Sequence, residues 1–245
     1  MVTGTSSTFD AVLFDLDDTL LDGDAAWQSG LARLRVRCPE VDLGQARSAW
    51  DAAFDLHYPR YLAGELTFDE HRAARLRSWA ELVSVTVPEG AELDWFDDYR
   101  AGYQAAWSAY ADVAPCLAAL TGKPLGIITN GHSVQQRDKI AALGLTDTFA
   151  AVVASGDIGI AKPDPRIFTY AAEQLGVPAD RCVFIGDKRD TDALAAVAVG
   201  MRGVWLNRTG ETPTPTPAPT PTPTSASADD GVVEITSLAE LLERL

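Results

Sequence analysis

The sequence predicts an α/β fold in which a parallel β-sheet carries helices on both faces and a separate helical segment is inserted near the N-terminus. Two observations support this fold class. Short apolar runs alternate with helical patterns along most of the 245 residues, and one long early segment shows helical spacing only. Continuous apolar strands separated by helices are typical of a parallel sheet, because helices then cover both faces of each strand.

The predicted strands are short apolar runs at residues 9–16, 123–130, 149–155, 182–186 and 203–206. Helical patterns lie between them at 134–143, 164–175 and 191–199. A last strand and a last helix are predicted at 231–235 and 237–245. This alternation of apolar runs and helical spacing is the basis for the predicted parallel sheet.

The inserted segment, from about residue 24 to 111, is rich in Ala, Leu, Arg and Trp and contains no convincing strand. Helical spacing occurs at 29–37, 44–62, 68–82 and 93–110. We therefore expect a helical cap at 23–111, inserted after the first strand of a core formed by 1–22 and 112–245. The two chain crossings, at 21–24 and 112–115, would then form neighbouring hinges.

A Pro/Thr-rich low-complexity loop is predicted at 211–230, within the core. Alternating Pro and Thr favours extended, polyproline-like backbone and packs no core. The tract fits a spacer or a tolerated insertion, and also a ligand for a proline-recognising module. Because a strand and a helix follow it, the tract interrupts the core rather than ending it.

The charge balance argues against a nucleic-acid partner. Lys and Arg total 20 against 35 Asp and Glu, which gives a net charge of −15. Nucleic-acid affinity rests largely on basic side chains that neutralise phosphates, so this surplus of acid opposes it. A locally basic pocket for a small anion stays compatible with the composition. No apolar run approaches the roughly 20 residues that a membrane helix needs, so no membrane partner is expected.

The cysteine content predicts a cytoplasmic protein. There are three cysteines, at 38, 116 and 182, without the pairing of a disulfide framework or the spacing of a zinc site. Residues 1–8 are small and polar and lack the basic start and apolar run of a signal peptide. We expect each thiol to be a small buried side chain in a reducing compartment.

The first candidate motif, Asp15-Leu16-Asp17-Asp18-Thr19-Leu20, directly follows the first predicted strand. Ligands bind at the carboxyl ends of strands in open parallel sheets. Asp15 and Asp17 can both reach one reacting group there, so that one attacks and the other transfers a proton. Alone, the pattern also fits a polar turn in which Thr19 caps a helix.

Three further motifs follow other predicted strands. Thr129-Asn130-Gly131 offers a hydroxyl and main-chain amides for an anion, although a simple cap and turn fits it too. Lys162, just before a helix, can neutralise phosphate charge or can be a solvated surface residue. Asp187 can join Asp15 in binding Mg²⁺, which prefers oxygen ligands, or can sit at a charged helix N-terminus.

Together the four motifs resemble those of the haloacid dehalogenase-like (HAD) hydrolase superfamily. Its pattern is D-x-D-x-T, then Thr or Ser after a strand, then Lys, then G-D-x-x-x-x-D or a close variant. All four occur here in that order. The resemblance implies a Rossmann-like parallel-sheet core with an inserted α-helical cap, of the helical-cap subgroup and the phosphatase type. Such a cap closes over the site and excludes water.

The resemblance also implies roles for particular residues. Asp15 is expected to be the nucleophile and Asp17 the general acid and base. Phosphate is expected to bind Thr129, Asn130 and Lys162. The implied Mg²⁺ ligands are Asp15, the Asp17 main-chain carbonyl and Asp187. Asp192 or Asp190 would orient these ligands, and the choice between them stays open because Lys188 and Arg189 depart from the usual pattern.

The residue at position 17 separates the reactions of this superfamily. Dehalogenases of the superfamily that this chain resembles carry Tyr there, since cleavage of a carbon–halogen bond needs no acid for the leaving group. Asp17 therefore favours a Mg²⁺-dependent phosphatase acting on a small phosphorylated metabolite, such as a nucleotide or a sugar phosphate. The alternatives are a phosphomutase, another HAD-type hydrolase including a dehalogenase, and a non-catalytic binding protein.

Residues of the cap are expected to set substrate specificity. The candidates are His57, Arg60 and Arg72, in a segment dense in polar and aromatic side chains. An Arg at the site can bind a carboxylate or a second phosphate of the substrate. The same residues also fit a salt-bridged or solvated face of a cap helix.

Overall fold

The computed structural model describes residues 9–210, 212 and 230–244. In this part of the chain the centre is a six-stranded sheet of order β3-β2-β1-β4-β5-β6, in which all pairs are parallel. The strands are β1 (Ala11–Phe14), β2 (Leu125–Thr129), β3 (Ala151–Ala154), β4 (Cys182–Gly186), β5 (Arg202–Leu206) and β6 (Val233–Ile235). The parallel sheet with surrounding helices confirms the predicted fold class.

Strand β1 lies in the middle of the sheet, and its register explains where the polar motifs meet. Phe14, its last residue, pairs with Ile127 of β2 and with Ile185 of β4. The three strands therefore end at the same edge, and the residues that follow them, from Asp15 and Asp187 onward, share one crevice. Such a crevice at the carboxyl edge is the usual ligand site of an open parallel sheet.

Between β1 and β2, residues 23–105, all of them described, form the helices α1 (Gly23–Leu34), α2 (Leu43–Leu62), α3 (Phe68–Leu82) and α4 (Glu92–Ala105). Local signals start these helices. Thr67 and Glu70 form a reciprocal capping box at α3, and the Asp42 side chain accepts main-chain hydrogen bonds at α2. Trp50 and Trp79 are fully buried at the centre of their apolar core. The exact limits of the cap, 23–111, stay a prediction.

The other helices cover the sheet. They are α5 (Val113–Ala119), α6 (Ser133–Ala142), α7 (Ser155–Ile158), α8 (Pro165–Leu175), α9 (Ala195–Ala198) and α10 (Leu241–Arg244). Successive side chains of β1 point to opposite faces of the sheet, as strand geometry requires. Val12 and Phe14 belong to one apolar cluster, and Ala11 and Leu13 belong to the cluster on the opposite face.

Several predicted helices differ from the structure. The helix expected at 29–37 begins earlier, as α1 (Gly23–Leu34), and the last one divides into a 3-10 turn at Leu238–Glu240 and α10. Helix α4 ends at Ala105 rather than at 110, because residues 108–110 pair with the chain that leaves β1. Leu21 forms an antiparallel bridge with Ala109, and the Tyr110 N–H donates to the Leu20 carbonyl at 3.1 Å. The predicted helix at 191–199 divides into a π-helical turn at Arg189–Leu194 and the short α9. Helices α5 and α7 were not predicted.

The predicted Pro/Thr-rich loop lies outside the described residues except at its two ends, Thr212 and Asp230. Within the described part of the chain, none of the helices combines the length and the apolar character that a membrane crossing requires. All three cysteines are buried and carry unpaired thiols, as expected.

Candidate active site

Asp15 lies at the carboxyl end of β1 and is almost sealed from solvent, with 5% of its surface exposed. Lys162 places its Nζ 2.6 Å from Asp15 Oδ1, and the Thr19 hydroxyl donates to Oδ2 at 3.2 Å. Burial raises the pKa of Asp15 well above its ordinary value, and the charge of Lys162 opposes that rise. The lysine thus stabilises the ionised carboxylate that a nucleophile requires.

Lys162 also contacts Asp192, whose Oδ1 lies 2.6 Å from the same Nζ. Burial alone would lower the pKa of Lys162, but the two carboxylates hold it above its ordinary value. The lysine is therefore a fixed positive charge between two buried acids.

Three of the described carboxylates converge beside this lysine: Asp15, Asp187 and Asp192 each bring an oxygen within 4.8 Å of the other two. Burial raises the pKa of Asp187, and the ammonium of Lys188, 3.0 Å away, opposes that rise. Carboxylates this close repel one another, and a divalent cation relieves that repulsion. An all-oxygen donor set with one or two direct carboxylates suits Mg²⁺. The residues present therefore fit the implied metal.

The structure separates the two candidates for the supporting carboxylate. Asp192 is buried, and its Oδ2 accepts the Lys188 main-chain N–H at 3.0 Å. Asp190 is exposed, with Arg189 beside it at 3.8 Å. The wide π-helical turn carries Asp192 into the cluster, where it packs against Gly186. A Cβ at position 186 would come within 2.3 Å of the Asp192 carboxylate.

Asp17 points toward α6 and is held by two side chains that sequence reasoning missed. Lys139 Nζ lies 2.6 and 2.8 Å from the two carboxylate oxygens, and Gln136 donates to Oδ2 at 2.9 Å. Gln136 Nε2 also donates to the Thr129 hydroxyl at 2.6 Å, which joins two motif residues. The available signal was a pair of polar residues three positions apart beside Ile140, on the buried face of a predicted helix.

Thr129 ends β2 and Asn130 follows it, as predicted, but the Asn130 side chain bonds the main chain of Lys162. Its amide donates to the Lys162 carbonyl at 2.9 Å and its oxygen accepts the Lys162 N–H at 2.8 Å. Asn130 therefore positions the lysine through its side chain.

Asp18, which sequence reasoning passed over, turns the chain away from the site. Its φ of 60° is left-handed, a conformation that Asp tolerates better than most residues. Gly23 packs so closely on it that a Cβ there would approach the Asp18 carboxylate to 2.3 Å. Burial raises the pKa of Asp18 to about 7, and the neighbouring Asp187 and Asp17 add to the rise.

A cavity of about 990 Å³ separates these residues from the cap helices. On the core side it is lined by Asp15, Asp17, Thr129, Lys162 and Asp187. The opposite wall combines charged side chains with aromatic ones, among them Phe54, Tyr58, Phe68, Tyr99 and Tyr103. Phe68 of the cap also stacks on His132 of the core, with ring centroids 4.3 Å apart.

The structure brings one of the three predicted specificity residues to this cavity. Arg72 lines it, with its guanidinium 3.9 Å from the Phe68 ring. His57 and Arg60 are absent from the lining that the described residues form. His57 instead contacts Ser78 inside the cap at 2.8 Å, and Arg60 pairs with Glu65 at 3.2 Å. The structure does not bring these two to the cavity, because Phe54 and Tyr58, one turn apart, are on the face of α2 that lines it.

Comparison with known proteins identifies the family. The model of the haloacid dehalogenase-like hydrolases matches residues 9–200. The chain belongs to this family. The match confirms the family that the four motifs indicated, and it covers strands β1 to β4 and the inserted helices.

Two relatives of this HAD hydrolase align over most of both chains. The pyrimidine 5'-nucleotidase YjjG of Escherichia coli (strain K12) is 30% identical over 208 residues, which cover 81% of this chain and 86% of YjjG. The N-acylneuraminate-9-phosphatase of Homo sapiens is 27% identical over 215 residues, with 83% and 84% covered. These relatives confirm the predicted enzyme class, a phosphoric monoester hydrolase.

Among solved structures, the HAD hydrolase YfnB of Bacillus subtilis, crystallised with bound magnesium, superimposes with a TM-score of 0.74. The superposition covers 96% of this chain and 97% of YfnB at 23% sequence identity. At that identity the likeness demonstrates a shared fold, with the cap helices included.

Proposed function

We propose that this HAD hydrolase is a Mg²⁺-dependent phosphatase that hydrolyses a small phosphorylated metabolite through a phospho-aspartate at Asp15. The observation that carries this proposal is the cluster of Asp15, Asp187 and Asp192 around Lys162, at the floor of the cavity. A buried nucleophile, a fixed cation and an all-oxygen metal site together match what phosphoryl transfer requires, namely positioning and neutralisation of charge.

In the first step an Asp15 oxygen attacks the phosphorus while the bond to the leaving oxygen breaks. Asp17, two residues further along the same loop, gives its proton to that leaving oxygen. The products of this step are an alcohol and an acyl phosphate on Asp15.

In the second step Asp17, now ionised, takes a proton from a water molecule that attacks the same phosphorus. The bond between phosphorus and the Asp15 oxygen breaks, inorganic phosphate leaves, and both carboxyl groups return to their starting states. Lys139 and Gln136 contact the Asp17 carboxylate in the resting enzyme and fix its position at the start of each catalytic cycle.

The remaining groups bind charge. Lys162, the Thr129 hydroxyl and the Asn130 main chain would hold the phosphoryl oxygens. Asp15, the Asp17 main-chain carbonyl and Asp187 would bind Mg²⁺, with Asp192 orienting them, and the ion would neutralise repulsion between nucleophile and substrate. Asn130 contributes further by fixing the main chain of Lys162.

The cavity supports a small substrate of nucleotide or sugar-phosphate size. About 990 Å³ lies at the upper end of the range usual for small-molecule sites. Aromatic rings on the cap side suit a ring-shaped organic part. The net charge of −15 opposes a nucleic-acid substrate, and the buried thiols suit the reducing cytoplasm in which we expect the enzyme to work.

Phosphate release from a panel of about a hundred phosphorylated metabolites, with Mg²⁺ and with chelator, tests the proposal. We expect chelator-sensitive release from a narrow group of esters and none from the Asp15→Asn variant, whose side chain cannot form the acyl phosphate. Transfer of phosphate between positions of one sugar, without release, would instead establish a mutase. Undiminished release by Asp15→Asn or in chelator would contradict the proposed nucleophile or metal.

A further inference from the structure

Helix α3 presents a stripe of side chains to the cavity at the spacing of successive helical turns. The stripe consists of Phe68, His71, Arg72 and Arg75. Further along the same side of α3, one turn beyond Arg72 and Arg75, Leu76 and Trp79 pack into the cap core. The cavity face of this helix therefore combines aromatic and cationic groups directly across from the catalytic residues.

Arg75 is the most unusual member of this stripe. Only 6% of the residue is exposed, and its Nε is buried without a hydrogen-bond partner. Within the described chain, its guanidinium takes part in no ion pair and no hydrogen bond, whereas neighbouring Arg47 and Arg72 pair with Asp51 and Asp69. A buried cation without a counter-ion is costly, because it loses its hydration and gains no partner.

Aromatic rings surround Arg75 but do not satisfy it. The guanidinium carbon lies 4.3 Å from the Trp50 ring centroid, 4.7 Å from Phe54 and 5.9 Å from Tyr99. Such rings attract the face of a guanidinium, but their effect is smaller than the penalty for burying a charge. They also leave its in-plane N–H groups without acceptors. The rings thus orient Arg75 and leave its N–H groups available to a ligand.

The acids nearest to Arg75 are on α2 and do not serve as its counter-ions. Asp51 and Asp55 both attract its charge. Asp51, however, is 3.0 Å from the guanidinium of Arg47, and Asp55 is exposed to solvent. The carboxylates on the cavity floor are held by Lys162 and Lys139. The positive charge of Arg75 therefore faces the cavity uncompensated by a directly contacting acid.

His71, one turn before Arg75 on the same face, has the same character. It is 4% exposed, and both ring nitrogens are buried without a hydrogen-bond partner. Burial lowers its pKa to about 3, so the ring is neutral near pH 7 and has one donor and one acceptor to offer. Two adjacent buried side chains with unmet hydrogen bonds indicate a place where a polar group of a ligand belongs.

We propose that Arg75 binds a carboxylate at the end of the substrate remote from the phosphate, with His71 as an additional hydrogen-bond donor. The substrate class is then a phosphate monoester of a small carboxylic acid. A planar carboxylate accepts two parallel hydrogen bonds from one guanidinium and supplies the missing negative charge. This inference rests on the proposed phosphatase function, since it assigns the part of the substrate that is not hydrolysed.

Matched substrates test the carboxylate. The probes are 4-carboxyphenyl phosphate against its carboxamide, 4-carbamoylphenyl phosphate, and the same pair lengthened by one methylene. The wild type should favour the acid by about tenfold or more in kcat/KM in at least one pair, as expected for a charge-assisted, two-point contact. A wild type that shows no preference for the acid in either pair overturns the proposal.

Variants of α3 locate the contact. Arg75→Met should abolish the preference, chiefly by raising the KM of the acid. Arg75→Lys should reduce the preference because it keeps the charge but loses the forked donors. The control is Arg77→Met, on the same helix but with a side chain that is 58% exposed and paired with Glu92, and it should keep the preference. A preference that survives in Arg75→Met overturns the proposal.

Thermal stability separates binding from a structural role. If Arg75 awaits a ligand, the ligand-free Arg75→Met variant should melt about 2–4 °C higher than the wild type, because an apolar side chain replaces an unpaired buried charge. A lower melting temperature or failure to fold would mean that Arg75 holds the aromatic core together, and would overturn the proposal. Arg77→Met should melt within about 1 °C of the wild type.

A generic ester keeps the two proposals distinguishable. Turnover of 4-nitrophenyl phosphate with Mg²⁺, but equal use of acid and amide, would uphold the phosphatase and reject the carboxylate site. If no ester is turned over, calorimetric binding of the matched pairs still decides the role of Arg75. Tighter binding of the acid by the wild type, lost in Arg75→Met, supports the site, and equal binding of acid and amide rejects it.

Discussion

At the scale of single residues, Lys162 has two partners, since its Nζ is 2.6 Å from both Asp15 and Asp192. Removing one partner from a buried ion pair usually costs about 3–5 kcal/mol, because the remaining charge stays buried and unpaired. In the proposed mechanism the two cations near Asp15 and Asp17 have separate tasks: Lys162 favours the ionised form of Asp15, and Lys139 holds Asp17 in place.

The contact between Lys139 and Asp17 leads to a prediction about the leaving group. Lys139→Met should lower kcat by about tenfold or more for an alkyl phosphate, because a mispositioned general acid loses part of its usual 10²–10⁴-fold contribution. The loss in the phosphorylation step should be smaller for 4-nitrophenyl phosphate, whose phenolate leaves without a proton. Rapid-quench measurement of that step for both esters checks this difference.

A control separates positioning from folding in this experiment. Lys139→Arg, which keeps a cation near Asp17, should recover part of the rate for the alkyl ester. Equal losses for both esters would show that Lys139 supports the structure rather than the proton transfer.

At the scale of elements, α3 belongs to both the cap core and the cavity wall, and His71 makes that helix sensitive to pH. Burial lowers the pKa of His71 to about 3, from 6.5 for a solvated ring. Between pH 6.5 and pH 3, the His71 ring therefore binds a proton in the unfolded chain but not in the folded chain. The contribution of His71 to stability is present above pH 6.5 and is lost progressively as the pH falls toward 3.

The matching prediction concerns His71→Gln. Replacing the titrating ring should make the free energy of unfolding fall less steeply between pH 6.5 and 4 than in the wild type. Urea unfolding at several pH values measures both slopes. Because the carboxylates titrate equally in the two proteins, the difference between the slopes reports on His71 alone. Identical slopes would mean that the ring is protonated in the folded state over this range.

The secondary-structure elements also explain which residues of the site can be predicted from the sequence. Asp15, Thr129 and Asp187 lie at or just after the ends of apolar strands, so a local pattern located each of them, and parallel pairing brought them together. Gln136 and Arg75 carry no such signal. Their importance comes from a hydrogen bond to a loop 119 residues away in one case and from a missing partner in the other. Both properties exist only in the folded chain.

The cap predictions show the limit of periodicity. Spacing located α3 correctly, from Phe68 to Leu82, but did not reveal which face of α2 meets the cavity. His57 and Arg60 have side chains suited to binding a substrate, yet the rotation of the helix directs Phe54 and Tyr58 inward instead. A helix face is set by tertiary packing, and residue type alone does not determine it.

At the scale of the whole molecule, we expect the three clustered carboxylates to couple metal binding to stability. Mg²⁺ that binds only the folded protein should raise the melting temperature, and the increase should grow with the logarithm of its concentration. Asp187→Asn should lose most of this increase, because it removes one of the expected direct ligands. Differential scanning fluorimetry over a Mg²⁺ titration measures the effect.

Two comparisons make the metal prediction specific. Asp190→Asn, which alters an exposed acid outside the cluster, should keep the full response to Mg²⁺. A wild type whose melting temperature is the same in Mg²⁺ and in chelator would show that the cluster does not bind the ion.

The hydrogen bonds between the two chain crossings have a consequence for how such an enzyme can diversify. The chain leaves the sheet at Leu20–Asp22 and returns at Ser108–Tyr110, and these two stretches are bonded to each other. The inserted helical segment therefore begins and ends at one point. Its length adds only slowly to the entropic cost of closing the loop. A different helical segment joined at that point would leave the residues at the carboxyl edge of the sheet unchanged. Descendants of such a chain can therefore acquire new substrates by replacing the cap while they keep the same reaction.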